Sequence, residues 1–199
     1  MVLAASGPKP TDSATKIANY FAVHEHKAMI AHLLIDGVAG AAIVAIAYSL
    51  RHYLAAGGRL PKVMFAAGMA AGLASLAQAV VGETLTYRAA HGAGAGSVKT
   101  LFKVLNNGDT VKIALLAVMI GAASVLARRV GAFPRSLAVG GLVFAPLLAL
   151  SGLAFPLNSA PLYASLELTL LLLPTWVIAV TVVIARRTRE PQMVAATAQ

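Results

Sequence analysis

Cysteine is absent from this 199-residue chain, and charge is scarce: 12% of residues are charged against 59% hydrophobic. The missing thiols exclude disulfides, thiolate catalysis, Cys-ligated zinc and iron–sulfur clusters. They leave the redox compartment open, because a chain without thiols is neutral evidence on it. A soluble domain carries about a quarter charged residues, so this chain has too few to clothe a water-facing surface. Also missing are the GxSxG elbow, the HExxH zinc motif, the P-loop and the dinucleotide fingerprint. The glycine-rich stretch Gly92 to Gly96 follows no strand and reads as a flexible loop, not a phosphate cradle. The first 26 residues contain Lys9, Pro10, Asp12, Lys16 and Glu25 and have no apolar core of a signal peptide. The first apolar segment is therefore expected to direct insertion itself.

What is present is long apolar runs. Mean hydropathy is +0.79, and five segments approach the ~20 residues that a helix needs to cross ~30 Å of hydrocarbon. They cover about 28–50, 63–85, 111–127, 136–155 and 162–185. The expected fold is all-α: a transmembrane bundle of five spanning helices plus a short interfacial helix. Residues 1–27 form a polar, amphipathic lead-in, 28–187 the membrane domain, and 188–199 a disordered tail. The breaks are marked by Gly57, Gly58 and Pro61, by Gly131 and Pro134, and by Pro156 and Pro161. Pro146 and Pro174 fall inside spans, where neighbouring helices satisfy the freed carbonyls. Asp109 and Thr110 look like a cap that lengthens the short third span.

Two segments are amphipathic and too polar to span. Val98, Leu101, Phe102 and Leu105 recur at helical spacing, with Lys99 and Lys103 opposite, which predicts the interfacial helix. Residues 12–27 carry Ile17, Tyr20 and Phe21 on one face and predict a second helix leading into the first span. Gly68 and Gly72 form a GxxxG in span two, a motif that lets backbones approach within the bundle or, in a homo-oligomer, between copies.

The net charge of +9 does not point to nucleic acid. Its basic residues lie as clusters beside the apolar runs: Arg51, Arg59 and Lys62; Arg128, Arg129 and Arg135; Arg186, Arg187 and Arg189. That is how membrane spans are flanked, and the partner it implies is the lipid bilayer. With five spans those nine share one side, and seven Lys and Arg lie on the other. The short basic turns predict a multi-pass cell-membrane protein with its N-terminus outside and its C-terminus cytoplasmic.

Ionisable residues at membrane depth are costly, so each marks a candidate site. Counting along the spans brings His32, Asp36, Gln78, Glu83, Tyr87, Arg88, Asp109, Lys112, Tyr163 and Glu167 to one half of the membrane. The other half is apolar down to its basic flank. His32 and Asp36 share a helix face. Asp36, Glu83 and Glu167 are the candidate catalytic carboxyls, since crowded carboxylates in low dielectric tend to hold a proton. His32, Gln78, Lys112, Tyr163 and Arg88 are the candidate ligand-binding groups. A purely structural network, with Asp36 neutralised by His32 or Lys112, is the competing reading. No metal spacing is evident, and a b-type haem needs axial ligands on facing helices, whereas only His32 lies within a span. No cofactor is therefore expected.

Residues 126–135, LARRVGAFPR, followed by SLAVGGLV, resemble a recurring turn in small multi-pass bacterial membrane proteins of unassigned function. Residues 107–112, NGDTVK, are similar to the start of the preceding span in such proteins, and the Ala/Gly/Arg-rich style resembles actinobacterial chains. The resemblance covers about residues 106–185. It implies a bacterial origin and the multi-span plan, and no activity. The leading functional expectation is a non-enzymatic membrane protein that binds a lipid-like or small amphipathic molecule, or a partner, through the polar half. The alternative is a membrane-embedded enzyme using paired carboxylates on a hydrophobic substrate, similar in general plan to membrane terpene cyclases though none of their motifs is present. A proton- or ion-coupled carrier is the third.

Overall fold

The computed structural model describes residues 7–54, 57–157 and 159–197. Helix α1 is Ala14–Val23, capped by Ser13, whose hydroxyl accepts the Lys16 N–H. His24 leaves helical geometry and opens the first span, α2, over Glu25–Tyr53. The other long helices are α3 (Leu60–Ala90), α4 (Ala95–Arg129) and α5 (Arg135–Ser151), with α5 extended by a short α6 (Ala154–Leu157). The last, α7, is Ala160–Thr197. Among the described residues, five helices are long and apolar enough to cross a membrane, as the hydropathy pattern predicts.

The order of packing follows the order of the chain. Helix α2 lies on α3, α3 on α4, α4 on α5, and α5 on α7. Helix α4 is the axis: 61% of its most apolar stretch is buried, against 11% in α2 and 17% in α7. The outer helices turn large apolar side chains such as Ile35 and Ile178 outward, as lipid-facing spans do.

Two boundaries differ from the expectation. The segment containing Val98 and Leu105 is not a separate interfacial helix; it is the beginning of the 35-residue α4. Asp109 is accordingly a mid-helix residue and not a cap. At ~1.5 Å per residue such a helix is about 52 Å long and projects well beyond a ~30 Å core. Its projecting turns, with the end of α3, receive α1. There Ile17, Phe21, Ala28, Leu85, Ala89, Val98 and Leu105 form a small apolar cap. Lys99 Nζ donates to the Asp12 carbonyl at 2.7 Å and ties the lead-in down. At the other end, residues 188–197, expected as a disordered tail, continue α7 as helix to Thr197; residues 198 and 199 lie outside the described residues.

The main core fills the opposite half of the bundle, around Leu50, Met64, Met119, Ile120, Phe144, Leu148, Trp176 and Val180. Close approach of α2 and α3 depends on the GxxxG glycines. A Cβ at Gly68 would fall on Ala47 Cβ and Met119 Sδ, and one at Gly72 on Val44 and the Gly40 carbonyl. The motif is therefore filled from within the chain. Of the two readings of the motif, packing within the bundle is the one seen, because small residues on both helices let them pack at backbone distance.

Candidate functional site

Between the cap and the main core lies a polar layer built by three helices. Helix α2 contributes His32 and Asp36, α3 contributes Ser75 and Gln78, and α4 contributes Asp109 and Lys112. The spacing from each to its basic flank is similar: Asp36 to Arg51, Gln78 to Lys62 and Lys112 to Arg129 span 15 to 17 residues, or about 22–26 Å. Within a ~30 Å core this level lies just inside the far hydrocarbon boundary.

Local structure sets the layer. Leu33–Val38 in α2 is a π-helical segment, a widened turn of a type often found at functional positions. It carries Asp36, which is buried. The Ser75 hydroxyl donates to the Asp36 carbonyl at 3.0 Å, linking α3 to that turn. Two glycines make room for larger polar groups. A Cβ at Gly82 would fall on the His32 ring, and one at Gly108 would come within 2.9 Å of Gln78 Nε2.

Lys112 is the hub. Its ammonium donates to Asp36 Oδ1 at 2.7 Å and pairs with Asp109 Oδ1 at 2.7 Å. His32 Nδ1 stands 3.6 Å from Asp36 Oδ2. Gln78 Nε2 donates to Asp109 Oδ1 at 3.1 Å and to the Leu105 carbonyl at 2.9 Å. The pair joining α2 to α4 is thus the strongest polar link in the bundle, since hydrogen-bonded ions in low dielectric attract far more than exposed ones. Side-chain exposure is 10% for Asp36 and 11% for Lys112 but 29% for Asp109, which makes Asp109 the open edge.

Of the residues singled out from sequence, the structure brings His32, Asp36, Gln78 and Lys112 together. Glu83 is half-buried, one residue past Gly82 and so about 100° round α3 from the His32 notch. Glu167 is exposed on α7, whose buried stripe is Leu166, Thr169, Trp176 and Val180. Arg88 is exposed in the last turn of α3. Tyr163 packs edge-to-face on Phe155 with centroids 5.9 Å apart, in the α6–α7 corner. Among the described residues no three His, Asp or Glu side chains are gathered as metal ligands would be.

Asp109, Ser75 and Gly82 were missed as site residues. Asp109 had a visible signal, its i,i+3 spacing to Lys112. Nothing in the sequence marks which small residues of α3 face His32. The layer and the five spans define the class: a multi-pass helical membrane protein with a buried, ion-paired polar layer at one end of its bundle. No protein-family model, no curated protein and no solved structure matches the chain. The resemblance over residues 106–185 therefore rests on its residues alone and adds only the multi-span plan.

Proposed function

We propose that this is a non-enzymatic membrane protein that binds the polar end of a lipid-like or small amphipathic molecule at the layer around Lys112. The observation that carries the reading is the position of the layer. Polar groups at the edge of the hydrocarbon core, with the half-buried Asp109 as the most open of the ion-paired members, meet a ligand at the depth where headgroups give way to chains. The apolar outer faces of α2 and α7 offer neighbouring surface to acyl chains. The basic flanks favour a topology in which this layer belongs to the outer half of a cell membrane and Arg51, Arg128 and Arg186 to the cytoplasmic side. An acid–base enzyme built on Glu83 and Glu167 is not favoured, since Glu167 is exposed on α7 and Glu83 lies off the His32 notch, while the two carboxylates that do meet, Asp36 and Asp109, are both held by Lys112.

Extraction of the purified chain with solvent, followed by identification of what was retained, tests the proposal. The wild type is expected to keep an amphipathic molecule near one per chain. Asp109→Asn, at the open edge of the layer, should retain about tenfold less, as loss of a charge-assisted contact implies. Thr181→Val, on the exposed side of α7, should retain the wild-type amount. Equal retention by Asp109→Asn would overturn the reading.

A further inference from the structure

The polar layer is unbalanced in a particular direction. Two carboxylates, Asp36 and Asp109, share one ammonium, Lys112. Asp36, Asp109 and Lys112 together carry one excess negative charge, which a dry site tolerates poorly. A second shortfall has the same sign and arises independently. Gln78 is 94% buried by its 6% exposure, and its Oε1 makes no hydrogen bond. The amide cannot be turned to cure this. Its nitrogen faces two acceptors, Asp109 Oδ1 and the Leu105 carbonyl, and only an N–H can satisfy both. The oxygen on the same amide carbon is buried and accepts from nothing among the described residues. The site thus lacks a positive charge at Asp109, its open edge, and a hydrogen-bond donor at the buried Gln78 Oε1.

We infer that the layer takes a protonated primary amine, whose N–H groups bond to Asp109 and to Gln78 Oε1 and whose charge balances the second carboxylate. This rests on the binding function proposed above and specifies its ligand class. The amine can belong to an ethanolamine lipid headgroup or to a free amine. A trimethylated ammonium brings the charge without the N–H donors, and an anionic headgroup brings neither. Other charged groups around the site do not fill the role: Lys99 is engaged by the Asp12 carbonyl, and Arg88 is exposed at the end of α3.

The test uses the full chain in detergent, offered an equimolar mixture of dioleoyl phosphatidylethanolamine, phosphatidylcholine and phosphatidylglycerol, with native mass spectrometry reading what is retained. Retention of the ethanolamine lipid is expected to exceed that of the choline lipid about tenfold, as one charge-assisted hydrogen bond implies. Asp109→Asn and Gln78→Met should each remove the preference. The comparison of lipids on the wild type holds even where a variant fails to fold. Displacement by free ethanolamine identifies a soluble amine as a sufficient ligand; no displacement shows that the chains are needed as well. Retention of the choline or glycerol lipid equal to that of the ethanolamine lipid overturns the amine and leaves the binding function standing. Retention of no lipid together with no binding of free ethanolamine removes both.

Discussion

The two halves of this bundle are held by different forces. In the half near the basic flanks, α2, α3, α4, α5 and α7 meet through apolar side chains and small residues, with Gly68 against Ala47 and Met119. Its buried polar groups are few and uncharged: Ser124 Oγ and Trp176 Nε1, which make no hydrogen bond among the described residues. In the other half the same α2, α3 and α4 meet through Asp36, Lys112, Asp109 and Gln78. Lipid removes the hydrophobic drive between helices, so packing must do its work in the first region. Charge pairing can act in the second because water is scarce there. One half should therefore respond to volume and the other to charge.

The largest separation is expected on α4, which passes through both. Lys112→Met strands two carboxylates in the polar layer and should cost about 3–5 kcal/mol. Ile120→Val, two turns further along the same helix, should cost only about 0.5–1.5 kcal/mol. Thermal unfolding of both variants in one detergent checks this. Equal losses would break the distinction between the regions.

Smaller effects are expected at the two notches. Gly68→Ala pushes a methyl into Ala47 and Met119, and Gly82→Ala pushes one into the His32 ring. Each should cost about 1–3 kcal/mol. The glycines are 14 residues apart, or about 21 Å along α3, so the double variant should lose the sum to within ~0.5 kcal/mol. A marked departure from additivity would mean that the halves are mechanically coupled.

The smallest effect lies outside the membrane, at the lead-in. Asp12 accepts the Lys9 N–H at 2.8 Å and the Lys16 ammonium at 2.9 Å, and these hold its carboxyl below the ordinary carboxylate range. A depressed carboxyl contributes stability at pH above its unfolded value and loses it as pH falls through the folded one. Amide exchange in Ala14–Val23, corrected for its intrinsic pH dependence, should accelerate on acidification in the wild type. In Asp12→Asn that pH response should shrink, with the main core unchanged in both.

Much of this was readable in the sequence because hydropathy reports depth well. The five spans follow from apolar runs, and counting 1.5 Å per residue brought His32, Asp36, Gln78 and Lys112 to one level. What counting cannot give is direction around a helix. Glu167 was placed at the right end of α7, but its neighbours Leu166 and Thr169 take the buried stripe and leave it exposed. Glu83 misses the His32 notch by one residue for the same reason. The length of α4 was hidden by residues 106–110, NNGDT, whose Asp109 and Thr110 read as the cap of a new helix. They remain helical with Asn106 Nδ2 donating to the Phe102 carbonyl, Gly108 accommodating Gln78 and Asp109 pairing with Lys112. A polar run looks like a loop unless its tertiary partners are known.

The central claim is that Asp36 and Lys112 fasten α2 to α4 across the polar layer. A double-mutant cycle with Asp36→Asn, Lys112→Met and the pair, read by unfolding free energy in detergent, tests it most directly. The account expects the double variant to lose less than the sum of the singles, by about 2 kcal/mol or more, since each single strands its partner. Losses that add to within about 0.5 kcal/mol would show that the two side chains do not act as a pair, and would contradict the account.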